Sequence, residues 1–262
     1  MAEDGVTKRS LRHPLSCLHR GLGRSLLLWF LAVSLVPLVV VSVLNYSTAR
    51  RSLRASALAS LSDITGVKTA YINSYFERLL KDLHSQSKLL GNVQFLVSLK
   101  ELHRSGGTTS QAFVRSAGWK TLVGEYGVDL AAFRQLYGFH DVLLVDADGN
   151  VLFSVKREND LGTNLFKGIH AGSLLAAACR RSLASDSVSF SDFEPYAPSG
   201  GAVFGFLVAP MRNDADAVAG LYVLQVTIAQ IDRIMQMSSG VGHTAASYLI
   251  GEDLAIRSNP SD

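Results

Sequence analysis

Asp146-Ala147-Asp148-Gly149-Asn150 sets two carboxylates and an amide two residues apart, the spacing with which an oxygen-lined calcium loop begins. Such a loop also needs a bidentate Glu further along and a helix on either side, and the sequence supplies neither. The segment therefore reads as the turn of a β-hairpin between two apolar strands. Asp192 and Glu194 stand two apart in a strand-like stretch and would face one side, a candidate carboxylate pair; a sheet-end loop before Pro195 accounts for them equally. The seven histidines, at 13, 19, 84, 103, 140, 170 and 243, show no metal-ligand spacing. Two cysteines, Cys17 and Cys179, are too few for a disulfide scaffold or a Cys-rich zinc site. The glycine pairs Gly21/Gly23 and Gly240/Gly242 do not follow a predicted strand, and there is no phosphate loop and no G-x-S-x-G element. The chain is thus expected to carry no catalytic residue, no metal and no cofactor. What remains is binding, by polar side chains near strand ends and loops: Trp119, Tyr126, Tyr137, Asp192, Tyr196 and Arg212. The strand aromatics Phe139, Phe153, Phe190, Phe204, Phe206 and Tyr222 are expected chiefly to fill a core.

These residues need a scaffold, and composition bounds it. The 262 residues are 48% hydrophobic and 18% charged, which excludes a disordered chain. The net charge of +3 sits in residues 1–44, where Lys8, Arg9, Arg12, Arg20 and Arg24 face only Glu3 and Asp4. The rest is neutral, a poor phosphate binder, so nucleic acid is not an expected partner.

Leu26 to Leu44, LLLWFLAVSLVPLVVVSVL, is 19 residues without a charge. As a helix it would extend about 28 Å, close to the ~30 Å hydrocarbon core of a bilayer. Trp29 and Tyr46 suit the two interfaces, and Pro37 is tolerated in membrane helices. A cleaved signal peptide would have a shorter apolar run and small residues at a cleavage site. Asn45 to Arg51 offers no such pattern, so an uncleaved anchor is expected. The basic excess before it places residues 1–25 in the cytoplasm and the bulk of the chain outside, with the membrane being the inner (cell) membrane.

From Arg50 to about Leu102 apolar residues recur at helical spacing, among them Leu53, Leu61, Ile64, Tyr71, Tyr75, Leu79, Leu83 and Leu90. A helix this long leaving a membrane is a stalk, residues 45–104, and its apolar stripe calls for a partner: the attached domain or a second copy in a homodimer. A loop at Ser105 to Ser110 ends it. A second helical region runs from Gln111 to Tyr137, interrupted near Gly124 and Gly127. Strands are predicted at Phe139–Val145, Val151–Lys156, Ser187–Phe193, Val203–Pro210 and Val218–Thr227. Helices are predicted at Ile169–Ala184 and Ile228–Met237, and a last hairpin joins Tyr248–Ile250 to Leu254–Arg257. The order gives an α+β fold, an antiparallel sheet with helices on one face. The last hairpin has no sheet to join, so the sequence reads as the N-terminal piece of a longer protein.

Several segments together resemble double Cache (dCache) sensor domains. Phe139 to Leu165, FHDVLLVDADGNVLFSVKRENDLGTNL, is similar to the first hairpin of the membrane-distal module. Phe190 to Ser199, FSDFEPYAPS, resembles the family's DF-PYAPS segment. Gly220–Val226 with Ile231–Met235 is similar to the module's closing strand and helix. Gly242 to Gly251 resembles the opening of the membrane-proximal module, from which His243 and Ala246 depart at Glu positions. The resemblance covers about residues 50–262. It implies a PAS-like sheet on a long dimer helix, with a distal module at 105–237 and the incomplete start of a second at 238–262. It also implies an extracytoplasmic small-molecule sensor of a transmembrane receptor, most simply a chemotaxis transducer; the input of a histidine kinase or nucleotide cyclase, and a stand-alone anchored binding protein, are the alternatives. The family's amino-acid binders use a Tyr/Arg/Trp/Tyr cluster before the sheet and an Asp on a later strand; here Arg115, Trp119 and Asp192 are the nearest residues, and the full motif is not matched.

Overall fold

The computed structural model describes residues 22–236, 247–251 and 254–258. The expected tail through residue 21, Cys17, and residues 242–246 of the second-module resemblance lie outside the described residues. The chain divides into two compact units at Asp63/Ile64.

Helix α1 runs from Leu22 to Lys88 with Pro37 inside it. Its Leu26–Leu44 stretch is exposed throughout and is long and apolar enough to cross a membrane. Exposed side chains of that kind are at home in hydrocarbon.

The second unit opens with the last turns of α1, where Leu79 and Leu83 are buried. The stalk was expected as one helix to Leu102, but the structure breaks it at Leu89, whose backbone is extended (ψ 121°), before α2 (Leu90–Gly106). Asn92 holds the break: its side-chain amide donates to the carbonyl of Gln86 at 2.9 Å and to the Gln86 side chain at 3.0 Å. A short α3 (Ser110–Phe113) leads to α4 (Ala117–Tyr137), whose first turn is capped by Ser116. α4 is not interrupted at its glycines. Gly127 lies against Phe153, where a Cβ would come within 3.2 Å of the ring, so the missing side chain brings the helix close to the sheet.

Strands β1 (Asp141–Asp146), β2 (Val151–Ser154), β3 (Ser189–Pro195), β4 (Val203–Arg212) and β5 (Val218–Thr227) form one antiparallel sheet in the order β2-β1-β5-β4-β3. The β1–β2 turn is organised by Asp146, whose Oδ1 accepts from the amides of Asp148 and Asn150 and whose Oδ2 accepts from the Asn150 side chain. α5 (Leu174–Ser185) begins five residues later than its periodicity predicts, because Ser173 caps it by accepting from the Ala176 amide. α6 (Ala229–Gln236) follows β5. The expected last hairpin is present as a bridge between Ile250 and Ile256.

Helices cover both faces of the sheet, where the sequence led us to expect one. Val142, Leu144, Tyr222 and Leu224 pack with Phe95, Leu99, Trp119 and Leu130 from α2 and α4. Leu143, Val145, Leu221 and Val223 pack with Leu175, Ala178 and Cys179 from α5. Strands apolar on successive residues need cover on both sides, which explains the difference. Burial pushes the Cys179 thiol up to about 12, which makes it an inert core residue.

Candidate functional site

The α5 face of the sheet is apolar except at one end, where β1, β2 and β5 each contribute a polar residue and β4 an aromatic one. β1 begins with Asp141, which pairs with Gln225 of β5; Gln225 in turn faces Phe206 of β4. β2 ends at Ser154. The chain after β3 turns back at Tyr196 through a short 3-10 turn, Ala197–Ser199. The segment from 155 to 173, between β2 and α5, lies over this end and supplies Glu158, Asp160 and His170.

These groups form a row of three hydrogen-bonded sets. Ser154 donates to Asp141 Oδ2 at 2.5 Å, and the amides of Val142 and Lys156 donate to Oδ1. His140 Nε2 lies 3.0 Å from Glu158 Oε1, and Ser199 donates to Glu158 Oε2. Gln225 Nε2 donates to Ser199 Oγ at 2.9 Å. Tyr196 Oη donates to Asp160 Oδ2 at 2.9 Å. Gln225 is 0% exposed and Asp160 1%.

Two buried acceptor atoms in the row, Asp160 Oδ1 and Gln225 Oε1, have no hydrogen-bond partner among the described residues, and neither has His170 Nε2. Buried polar atoms are nearly always paired, so such orphans mark a place for a further group.

The electrostatics follow from burial. Desolvation raises Asp160 to about 6, against the stabilising bond from Tyr196. Desolvation likewise raises Asp141, and its hydrogen bonds only partly offset this. Burial works the same way on Glu158, but the bonds from Ser199 and His140, with the charges of His140 and Lys156, outweigh it and hold that carboxyl below its ordinary value. Burial also lowers His170. The row is therefore rich in acceptors. Its hydroxyls are already engaged with carboxylates, so it is arranged to receive donors rather than to attack a substrate.

Of the six residues singled out in the sequence, the structure places only Tyr196 in this row. Trp119 is buried on the opposite face, with its indole N–H donating to the Leu152 carbonyl at 2.8 Å. Tyr126 stacks on Phe95 at 5.5 Å between ring centres. Tyr137 ends α4, 49% exposed, beside Phe133 and Phe139. Asp192 sits at a bulge in β3 and accepts from Nε and Nη2 of Arg257. The bulge separates it from Glu194, whose Oε1 accepts from the Leu174 and Leu175 amides at the start of α5, so the two carboxylates do not pair. Arg212 closes β4 in an ion cluster with Asp186 and Asp216. Asp141, Glu158, Asp160, His170, Ser199 and Gln225 were not foreseen. Asp141 and Gln225 carried a signal all the same, each a polar residue next to a run of apolar ones in its strand.

No protein-family model and no curated protein sequence matches the chain. Solved structures do. The ligand-binding domain of Campylobacter jejuni chemoreceptor Tlp3 in complex with 4-methylisoleucine superposes with a TM-score of 0.54 at 10% identity, over 78% of this chain and 69% of that one. The sensory domain of the same chemoreceptor gives 0.53 at 12% identity, over 79% and 73%. The fold is that of a Cache-type sensor domain. The chain also matches the sensor domain of the V. cholerae histidine kinase DctB, at a TM-score of 0.44 and 16% identity, and spans 57% of that domain's length. In this Cache-type fold the row lies at one end of the sheet, under the β2–α5 segment.

Proposed function

We propose that this chain is the extracytoplasmic sensing portion of a transmembrane receptor, with a chemotaxis transducer as the whole protein. Its ligand is a small molecule that presents hydrogen-bond donors, bound under the β2–α5 segment against Asp160 and Gln225. Leu26–Leu44 anchors it in the inner membrane, with residues 1–25 in the cytoplasm. Residues 45–104 form the stalk and the homodimer contact, 105–237 the membrane-distal module, and 238–262 the start of a second module.

One observation carries the binding site: a buried polar row that ends on two unpartnered oxygens, one of them on a carboxyl group. A donor that satisfies them recovers what their burial costs, about 1–3 kcal/mol for each group. The fold shared with the Tlp3 domain, whose structure holds 4-methylisoleucine, supports a small polar ligand. Differential affinity for two arrangements of the stalk would supply the signal.

Thermal unfolding of the full chain against amino acids, organic acids, purines and amines tests this reading. The expected result is a dose-dependent rise in Tm with one donor-bearing class. Asp160→Asn combined with Gln225→Leu is expected to remove that rise while the protein still melts cooperatively. A rise that survives both substitutions, or none with any class, overturns the site.

A further inference from the structure

On the opposite face of the sheet, between α4 and β2, lies an open groove of about 420 Å³. Its floor is apolar, formed by Phe153 and Val155 of the sheet side and by the helix backbone at Gly124 and Gly127. Gly124 lines it, and a Cβ there would meet nothing within 4 Å, so a side chain at this position has open space around it. A glycine inside a helix costs about 1 kcal/mol relative to alanine, a cost that packing does not require at this position.

The groove carries two cations, Lys120 and Arg157, and no acidic side chain lines it. Both are exposed, and neither has an ion-pair partner among the described residues. Arg157 is held in place. Its backbone is left-handed (φ 57°), a conformation that costs a residue with a side chain about 1 kcal/mol or more. Its amide donates to Ser154 Oγ at 2.7 Å, and its guanidinium lies over the Trp119 ring, 5.4 Å from the centroid. The fork of donors is thereby fixed at the mouth of an apolar trough, the geometry that suits a planar carboxylate.

We infer that this groove is a second ligand site, for a small carboxylate with a short apolar tail, whose carboxylate meets Arg157 and Lys120 and whose tail lies along Gly124 toward Val155. It is distinct from the polar row, which lies on the other face and offers acceptors rather than cations.

Trp119 beneath Arg157 is a built-in reporter. The chain has two tryptophans, so Trp29→Phe leaves Trp119 alone. Full-length protein in zwitterionic lipid nanodiscs is titrated with hexanoate, and Trp119 fluorescence is read. The expected result is a saturable change. Acetate, which lacks the tail, and 1-hexanol, which lacks the charge, should each bind at least about tenfold more weakly. Arg157→Asn keeps a residue that tolerates the left-handed backbone and removes the cation; it should weaken hexanoate about tenfold. Gly124→Leu fills the groove with a good helix former and should abolish the response with the thermal melt intact. The inference is overturned by the absence of a saturable change, by acetate or 1-hexanol matching hexanoate, or by a response that persists in Gly124→Leu.

Discussion

Tyr196 Oη and Asp160 Oδ2 meet at 2.9 Å across 36 residues of sequence, with both side chains almost wholly buried. The bond joins the turn after β3 to the segment that covers the end of the sheet. It satisfies only one oxygen of a carboxyl that burial raises to about 6.

The sign of the pH dependence follows. In the unfolded chain Asp160 ionises near 3.8, and in the folded chain near 6. Between those values the folded state holds more protons, so the stability Asp160 contributes is fully present below about pH 4 and is lost as pH rises through about 6. Asp160→Asn removes this slope while keeping an acceptor for Tyr196. The variant should match the parent near pH 4 and exceed it at pH 7 by up to about 3 kcal/mol. Urea unfolding at a series of pH values measures the difference; a parent that gains stability on the variant over this window contradicts the assignment.

Tyr222 lies at the centre of β5, fully buried, with a hydroxyl that has no partner among the described residues. Burial raises its pKa far above the usual phenol range. Tyr222→Phe deletes an unsatisfied polar atom and keeps the ring, so the variant should be as stable as the parent or gain about 1 kcal/mol. A loss of 2 kcal/mol or more in denaturant would show that the hydroxyl has a hidden partner.

Gly220 pairs with Asp146 across the β1–β5 ladder. A Cβ there would collide with the Val145 carbonyl oxygen and come within 2.9 Å of Leu96 Cδ2. The neighbour is strand backbone and cannot swing away. Gly220→Ala should cost about 3 kcal/mol or more, visible as a Tm drop of many degrees. Gly124→Ala, with open space around its Cβ, should instead stabilise by about 1 kcal/mol.

The proposed homodimer uses exposed apolar residues of α1. Leu53 and Tyr71 are 18 residues apart, about five turns, and so share one helix face; both are exposed. In a background with Cys17→Ser, Leu53→Cys and Tyr71→Cys should each form disulfide-linked dimers under mild oxidation, and Ala55→Cys on the opposite face should not. Cys179, buried with its thiol raised to about 12, stays silent. Equal yields at all three positions would argue for collision rather than a specific contact.

Local physics was legible in the sequence, and tertiary geometry was not. The apolar strands and the Asp146 turn were readable because period, turn chemistry and hydrogen bonding agree within a few residues. The Leu89 break was missed because it depends on the Asn92 amide folding back to Gln86. Gly124 and Gly127 looked like helix breakers, yet Gly127 serves close packing on Phe153. The polar row was invisible for a different reason. Glu158 and Asp160 fall in a stretch with no periodicity, and their partners Ser199 and Tyr196 lie more than 30 residues away. Nothing local distinguishes them from solvated loop carboxylates, whereas Asp141 and Gln225 could be suspected from their apolar surroundings.

The sheet has two outer strands, and both are poor templates for adding another. Beside β2, the Val151 amide donates to the Thr163 carbonyl and its own carbonyl accepts from Gly162, so the following segment occupies that rim. β3 is bulged, ends in Pro195, and has its Phe190 carbonyl taken by Arg181. A chain so protected resists the edge-to-edge pairing that leads to aggregation. Where two copies of the chain meet, contact is therefore steered away from strand pairing.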